Sequence, residues 1–127
     1  MKILIADDEP TIHEVLGQLL PAAGYEVLHA TNGNQAIVLA RANQPDLIVL
    51  DLVMPETSGL EVSRKLKNDP DLREIPVLIM SGINPGDDLR AILRDSGITD
   101  FISKDDLVTS VLPRVEEMLS RQADRVA

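Results

Sequence analysis

Asp46-Leu47-Ile48-Val49-Leu50-Asp51 sets four aliphatic residues in a row between two acids. A short apolar run without polar alternation predicts a strand covered on both faces, as in a parallel sheet, rather than the half-wet strand of an open antiparallel one. Similar runs occur at Lys2 to Ala6, Tyr25 to Ala30, Ile75 to Met80 and Asp100 to Ser103. Between them the apolar residues fall at helical spacing: Ile12, Val15, Leu16 and Leu19; Ala36, Ile37, Leu39 and Ala40; Val62 and Leu66; Leu89, Ile92 and Leu93. A fifth such segment runs from Asp106 towards the C-terminus. Parallel neighbours need crossover connections, so strands alternating with amphipathic helices predict five βα units in a doubly wound α/β sandwich.

The punctuation agrees with this division. Pro10 suits a first helical turn, Ser58 and Glu61 have capping-box spacing, and Gly24 and Gly97 stand where helices would stop.

The chain has 127 residues, the size of one ordinary domain, which leaves no room in it for a multidomain enzyme. With 44% hydrophobic residues and 26% charged, it can bury a core and is not disordered. Tyr25 and Phe101 are its only aromatic residues, too few for base-stacking or sugar-binding platforms. A formal net charge of −9 would repel nucleic-acid phosphates, so no direct nucleic-acid partner is expected. The absence of cysteine excludes thiolate metal sites and thiol catalysis and suits a cytoplasmic protein. The apolar run at the N-terminus is too short for a signal peptide or a membrane span, so neither export nor a membrane partner is expected.

In an open α/β sheet, ligands bind beyond the carboxyl ends of the strands. That rule selects Asp7 and Asp8, Asp51, Ser81 and Lys104. If the first and third strands are neighbours, three carboxylates converge, and like charges so close need a cation. Oxygen-only ligation with few protein donors fits Mg²⁺ better than a dedicated Ca²⁺ cage. The plainer alternative for the first acids is that Asp8 or Glu9 caps the first helix. For Asp51 it is a solvated loop acid, for Lys104 a surface lysine, and for Ser81 a turn serine.

Asp7-Asp8 after the first strand, Asp51-Leu52-Val53-Met54-Pro55-Glu56-Thr57-Ser58-Gly59 after the third, Ser81-Gly82 after the fourth and Phe101-Ile102-Ser103-Lys104 at the fifth stand together in one order. In this the chain resembles the receiver domain of two-component response regulators, over nearly its whole length. The resemblance implies a flavodoxin-like fold with strand order 2-1-3-4-5, a receiver domain over residues 1–120, and a tail or the start of a linker over 121–127. It implies that Asp51 accepts a phosphoryl group from a histidine kinase or a histidine phosphotransfer protein. Asp8, Asp51 and the Val53 backbone carbonyl would hold Mg²⁺ or Mn²⁺, with Asp7 joining through water. Lys104 and Ser81 would contact the phosphoryl oxygens, so the chain assists its own phosphorylation without being an enzyme in the ordinary sense. Movement of Ser81 and rotation of Phe101 would then switch the surface of the fourth helix, fifth strand and fifth helix for a downstream protein or effector domain. The alternative for Phe101 is a core residue that never moves.

Two departures from the family pattern stand out. Asp105 follows Lys104 where the family commonly has proline, and a non-proline cis bond costs roughly 2.5 to 4 kcal/mol, so a trans bond is expected, with Asp105 capping the last helix. Pro113 implies that the last helix either kinks there or begins near Leu112. Val53 and Ile83, both aliphatic and flanking the site, are expected to restrict the attacking water and lengthen the life of a phosphoaspartate. Val111, Val115, Met118, Gln122 and Val126 approximate a heptad spacing, either the core face of the last helix or the start of a linker. His13 and His29 read as a helix-surface and a strand-end residue with no metal role.

Two other function classes are weaker. A phosphorylation-independent interaction module on the same fold ranks lower because every residue the chemistry needs is present. A flavin- or nucleotide-binding enzyme is disfavoured because no Gly-rich phosphate loop follows the first strand.

Overall fold

The computed structural model describes residues 1–82 and 86–126, with only the backbone of 125 and 126. In chain order the elements are β1 (Lys2–Ala6), α1 (Pro10–Ala22), β2 (Glu26–Ala30), α2 (Gly33–Asn43), β3 (Leu47–Asp51), α3 (Gly59–Asn68), β4 (Val77–Ser81), α4 (Asp87–Asp95), β5 (Asp100–Ser103), a 3-10 turn (Lys104–Asp106) and α5 (Leu107–Val126). All strand pairs are parallel and the order is β2-β1-β3-β4-β5. This is the flavodoxin-like architecture expected from the sequence.

Alternation along each strand divides the aliphatic residues between two cores. Ile3, Ile5, Leu47, Val49, Leu78 and Met80 pack with Ile12, Leu16 and Leu20 of α1 and with Val111, Val115 and Met118 of α5. Leu4, Ala6, Ile48, Leu50 and Ile79 face the other way, onto α2, α3 and α4 through Ala36, Ala40, Val62, Leu66 and Leu93. Burying a large aliphatic side chain stabilises by roughly 1.5–3 kcal/mol, so the two-sided cover of β1, β3 and β4 holds the sheet together. Val111, Val115 and Met118 are thus part of the core, which accounts for three of the five heptad-like positions. Ile92, by contrast, is 40% exposed and lies off the buried stripe that Leu93 anchors.

Element ends follow local chemistry. β4 begins at Val77 rather than Ile75, because Pro76 has no N–H for the ladder, although its carbonyl accepts from Ile48. Ser58 caps α3, its Oγ accepting from the Glu61 N–H at 3.3 Å. Gly24 and Gly97 follow α1 and α4 with φ of 97° and 87°, a left-handed conformation that ends a helix without Cβ strain.

Two expectations about the last helix are corrected. The described residues contain no cis peptide, so Lys104-Asp105 is trans, but Asp105 is not the cap. Ser103 instead caps the 3-10 turn that joins β5 to α5, its Oγ accepting from the Asp105 N–H at 3.2 Å. Nor does α5 begin near Leu112: it starts at Leu107, contains Pro113 in its interior and carries on through 121–126. Burial of Leu107, Val111, Val115 and Met118 against the sheet holds the helix across the hydrogen bond that Pro113 cannot donate.

Candidate functional site

Side chains from the ends of β1 and β3 and from the turn after β5 converge beyond the carboxyl edge of the sheet. Asp7 follows β1 and is fully buried. Its N–H donates to the Ala30 carbonyl of neighbouring β2 at 3.1 Å, and its Oδ1 accepts from the Glu9 N–H at 2.8 Å. Asp51, the last residue of β3, is 3% exposed, and its Oδ1 accepts from the Val53 N–H at 3.3 Å. Asp8 is exposed at the mouth. One carboxylate oxygen from each of Asp7, Asp8 and Asp51 lies within 4.8 Å of the others. The loop after Asp51 folds back onto α3 through a close approach at Gly59, whose N–H donates to the Leu52 carbonyl at 2.9 Å. A Cβ on Gly59 would run into the Asp51 carbonyl oxygen and the Leu52 Cα.

Lys104 reaches this cluster from beyond β5. Its Nζ is 2.8 Å from Glu9, 2.9 Å from Asp7 Oδ2 and 3.3 Å from Asp51 Oδ2. Burial works against the lysine charge, but the close approach of the Glu9 and Asp7 carboxylates and the charge of Asp51 outweigh it and hold the ammonium protonated far above the ordinary lysine range. Asp51 is driven the other way: burial first, and the Asp7 charge second, raise its carboxyl to about 6, against the opposing pull of Lys104 and the Val53 N–H. At neutral pH Asp51 is ionised, yet poorly stabilised as an anion. Asp7 Oδ2 is ion-paired with Lys104 but makes no hydrogen bond, so a buried acceptor faces the cluster incompletely satisfied. Oxygen donors with such a deficit fit a hard divalent cation.

The other predicted residues surround this point. Ser81, buried at the end of β4, lies one register step beyond Met80, which pairs with Asp51. Val53 is 64% exposed in the loop after Asp51. Ile83 lies outside the described residues. Phe101, in β5 opposite Ile79, is half-buried against the α4 side of the core, with the Arg90 guanidinium carbon 5.0 Å above its ring.

Two features escape sequence reasoning. Glu9, weighed only as a helix cap, is a partner of Lys104, and it makes no side-chain cap on α1. Its place directly after Asp7-Asp8 was the available signal. His13 and His29, read from the sequence as a helix-surface and a strand-end residue, have their Nδ1 atoms 2.7 Å apart, because α1 packs beside β2 and parallel pairing sets His29 opposite Ile5. Burial chiefly, then the neighbouring His13, lowers the His29 pKa below its ordinary 6.5.

The comparisons with known proteins converge. Residues 3–112 match the family model described as the response regulator receiver domain. The chain is similar to the DNA-binding dual master transcriptional regulator RpaA of Synechocystis, 37% identical over 126 residues, which is 98% of this chain and 51% of that protein. The chain therefore spans about half the length of RpaA. It is also similar to the polar-differentiation response regulator DivK of Brucella anthropi, 40% identical over 103 residues, 80% of this chain and 82% of DivK. Among solved structures, the signal receiver domain of a signal transduction histidine kinase from Syntrophus aciditrophicus superposes with a TM-score of 0.83 at 36% identity, covering 94% of this chain and 89% of that one. A CheY-like receiver domain protein from Methanospirillum hungatei gives a TM-score of 0.89 over 98% of this chain and 97% of its own; at 22% identity that likeness speaks to the fold alone.

Proposed function

The chain belongs to the response regulator receiver domain family of two-component systems, and from that premise we propose that Asp51 is its phosphoacceptor in a phosphorelay. The observation that carries the reading is the placement of an ionised, weakly stabilised Asp51 among Asp7, Asp8 and Lys104 at the mouth of the sheet. An Asp51 carboxylate oxygen attacks the phosphorus of a phosphohistidine on a sensor kinase or phosphotransfer protein. The new P–O bond forms as the P–N bond breaks, and the imidazole leaves with a proton. Such transfer is mostly positioning and charge neutralisation.

Asp8, Asp51 and the Val53 carbonyl, with Asp7 through water, would hold Mg²⁺ or Mn²⁺, which supplies the positive charge that lets a phosphoryl group approach three acids. Lys104 turns its ammonium towards the phosphoryl oxygen nearest Asp51, and the Ser81 hydroxyl donates to another. The added phosphoryl charge, roughly −1.5 to −2, draws Ser81 inward and biases Phe101 towards burial, changing the face made by α4, β5 and α5 for a downstream protein or effector domain. Residues 1–120 would form the receiver, with 121–127 as a C-terminal tail or the start of a linker. No helix among the described residues is long and apolar enough to cross a membrane.

Incubation with Mg²⁺ and a small acyl-phosphate donor tests the reading. A hydroxylamine-labile phosphate should form on the chain and be absent in Asp51→Asn. No phosphate under saturating donor would overturn it in favour of an interaction module that works without phosphorylation.

A further inference from the structure

Beside the acid cluster, and sharing none of the proposed phosphoryl contacts, is a pair of imidazoles from two different elements. His13 Nδ1, on α1, and His29 Nδ1, near the end of β2, are 2.7 Å apart, with ring centroids at 4.9 Å and planes tilted by 57°. His13 Nε2 lies 2.7 Å from the Asp7 backbone carbonyl. A carbonyl only accepts, so Nε2 of His13 carries the hydrogen and its Nδ1 presents a lone pair. With both rings neutral, His29 Nδ1 then donates the single proton between them. The pair borders an open pocket of about 440 Å³, whose wall includes the carboxylate residues Asp8 and Glu14.

This is the arrangement of a metal-binding histidine pair holding a proton where the ion would go. Histidines that ligate metals almost always anchor their far nitrogen to a carboxylate, water or backbone carbonyl, which fixes the ring and aims the other nitrogen; His13 already has that anchor. We propose that His13 and His29 bind a borderline divalent cation of the Zn²⁺ type through their two Nδ1 atoms, with water and an oxygen donor from the Glu14 side of the pocket completing the site. The proton between the rings moves to His29 Nε2, so His29 changes tautomer and both Nδ1 lone pairs face the ion. Zn–N bonds of about 2.0–2.1 Å in a tetrahedral site set the two nitrogens roughly 3.3 Å apart, against 2.7 Å now. His29 is exposed on the edge strand and is the ring with room to make that adjustment. Imidazole selects Zn²⁺, Cu²⁺ or Ni²⁺ over the hard Mg²⁺ that suits the all-carboxylate cluster, so the two sites differ in the class of ion they take. A net charge of −9 favours the approach of either.

The experiment is a Zn²⁺ titration of the whole chain in excess Mg²⁺, read by competition with a chromophoric chelator and by NMR of the imidazole signals. His13 and His29 are the only histidines, so the spectrum is unambiguous. One equivalent should bind with both imidazoles shifting together. Asp51→Asn should bind as well as the wild type, whereas His29→Gln should weaken binding by about tenfold or more, the scale on which metal sites respond to loss of their supporting groups. His13→Gln supplies a second variant on the other element. Zinc uptake with unmoved imidazole signals, equal binding in His29→Gln and His13→Gln, or no binding below millimolar Zn²⁺ would each overturn the proposal. Because phosphorylation of Asp51 is not the readout, failure here leaves the phosphoacceptor reading untouched, and the reverse also holds.

Discussion

Replacing Asp51 by Asn should stabilise the metal-free protein, by an amount that grows from the pH at which the unfolded carboxyl ionises and is complete once the folded one does. Asp51 has its pKa raised from the ordinary 3.8 to about 6 by burial and by Asp7. Between those two values the folded state keeps a proton that the unfolded chain has released, so stability falls as pH rises through the window, and the loss is complete above about pH 6. Roughly two units at 1.36 kcal/mol each correspond to about 3 kcal/mol, an upper value because water at the mouth of the site screens part of the charge. Asn has nothing to ionise. Its Oδ1 still accepts from the Val53 N–H, and Lys104 keeps Asp7 and Glu9 as partners. Urea unfolding in EDTA, with wild type and variant side by side, measures the effect: the two unfolding free energies should nearly coincide at about pH 4 and separate by up to about 3 kcal/mol at about pH 8. Millimolar Mg²⁺ should then recover much of the gap for the wild type alone. A gap that is the same at both pH values, or a variant less stable at pH 8, would refute the view that the acid cluster is held together against its own repulsion.

Gly59→Ala should destabilise the fold by about 1–3 kcal/mol, the cost of overpacking, and displace the Asp51 backbone, visible as a lowered urea midpoint and altered amide shifts at Asp51 and Leu52. Since His29 takes up its proton less readily in the fold than in the unfolded chain, stability should decline as pH drops below about 6.5, and His29→Gln should flatten that limb of a thermal-melt profile. Val53 stands exposed beside Asp51, and Val53→Asn should shorten the life of a phosphoaspartate by admitting and orienting water; phosphate release at an unchanged rate would remove that role.

The fold was legible because its central strands are buried on both faces, which wrote Leu47 to Leu50 and Leu78 to Met80 as unbroken aliphatic runs. The acids were legible for a related reason: a charged residue directly after such a run can only stand at the sheet's mouth. What could not be read were contacts set by tertiary packing. Glu9 and Lys104 are 95 residues apart, and nothing local announces their 2.8 Å contact. The histidine pair depends on the β1–β2 register together with the rotation of α1, neither of which spacing along one element reveals. At the start of α5, local chemistry misled in a different way, since both Ser103 and Asp105 are good caps and the 3-10 turn selects the earlier one. Pro113 gave a true local signal that the surrounding core overrides.

Lys104 directly follows the edge strand β5, yet its ammonium touches acids at the ends of β1 and β3, spanning β4 on the way. An ammonium has three hydrogens, and three carboxylates already surround this one. Any further anion brought to Asp51 competes with these partners for the ammonium, and Glu9, its side chain 56% exposed, is the one that water can most readily take back. The arrival of charge at the centre of the sheet would thus be announced at its rim by a carboxylate set loose, a change in surface potential that requires no strand or helix to move.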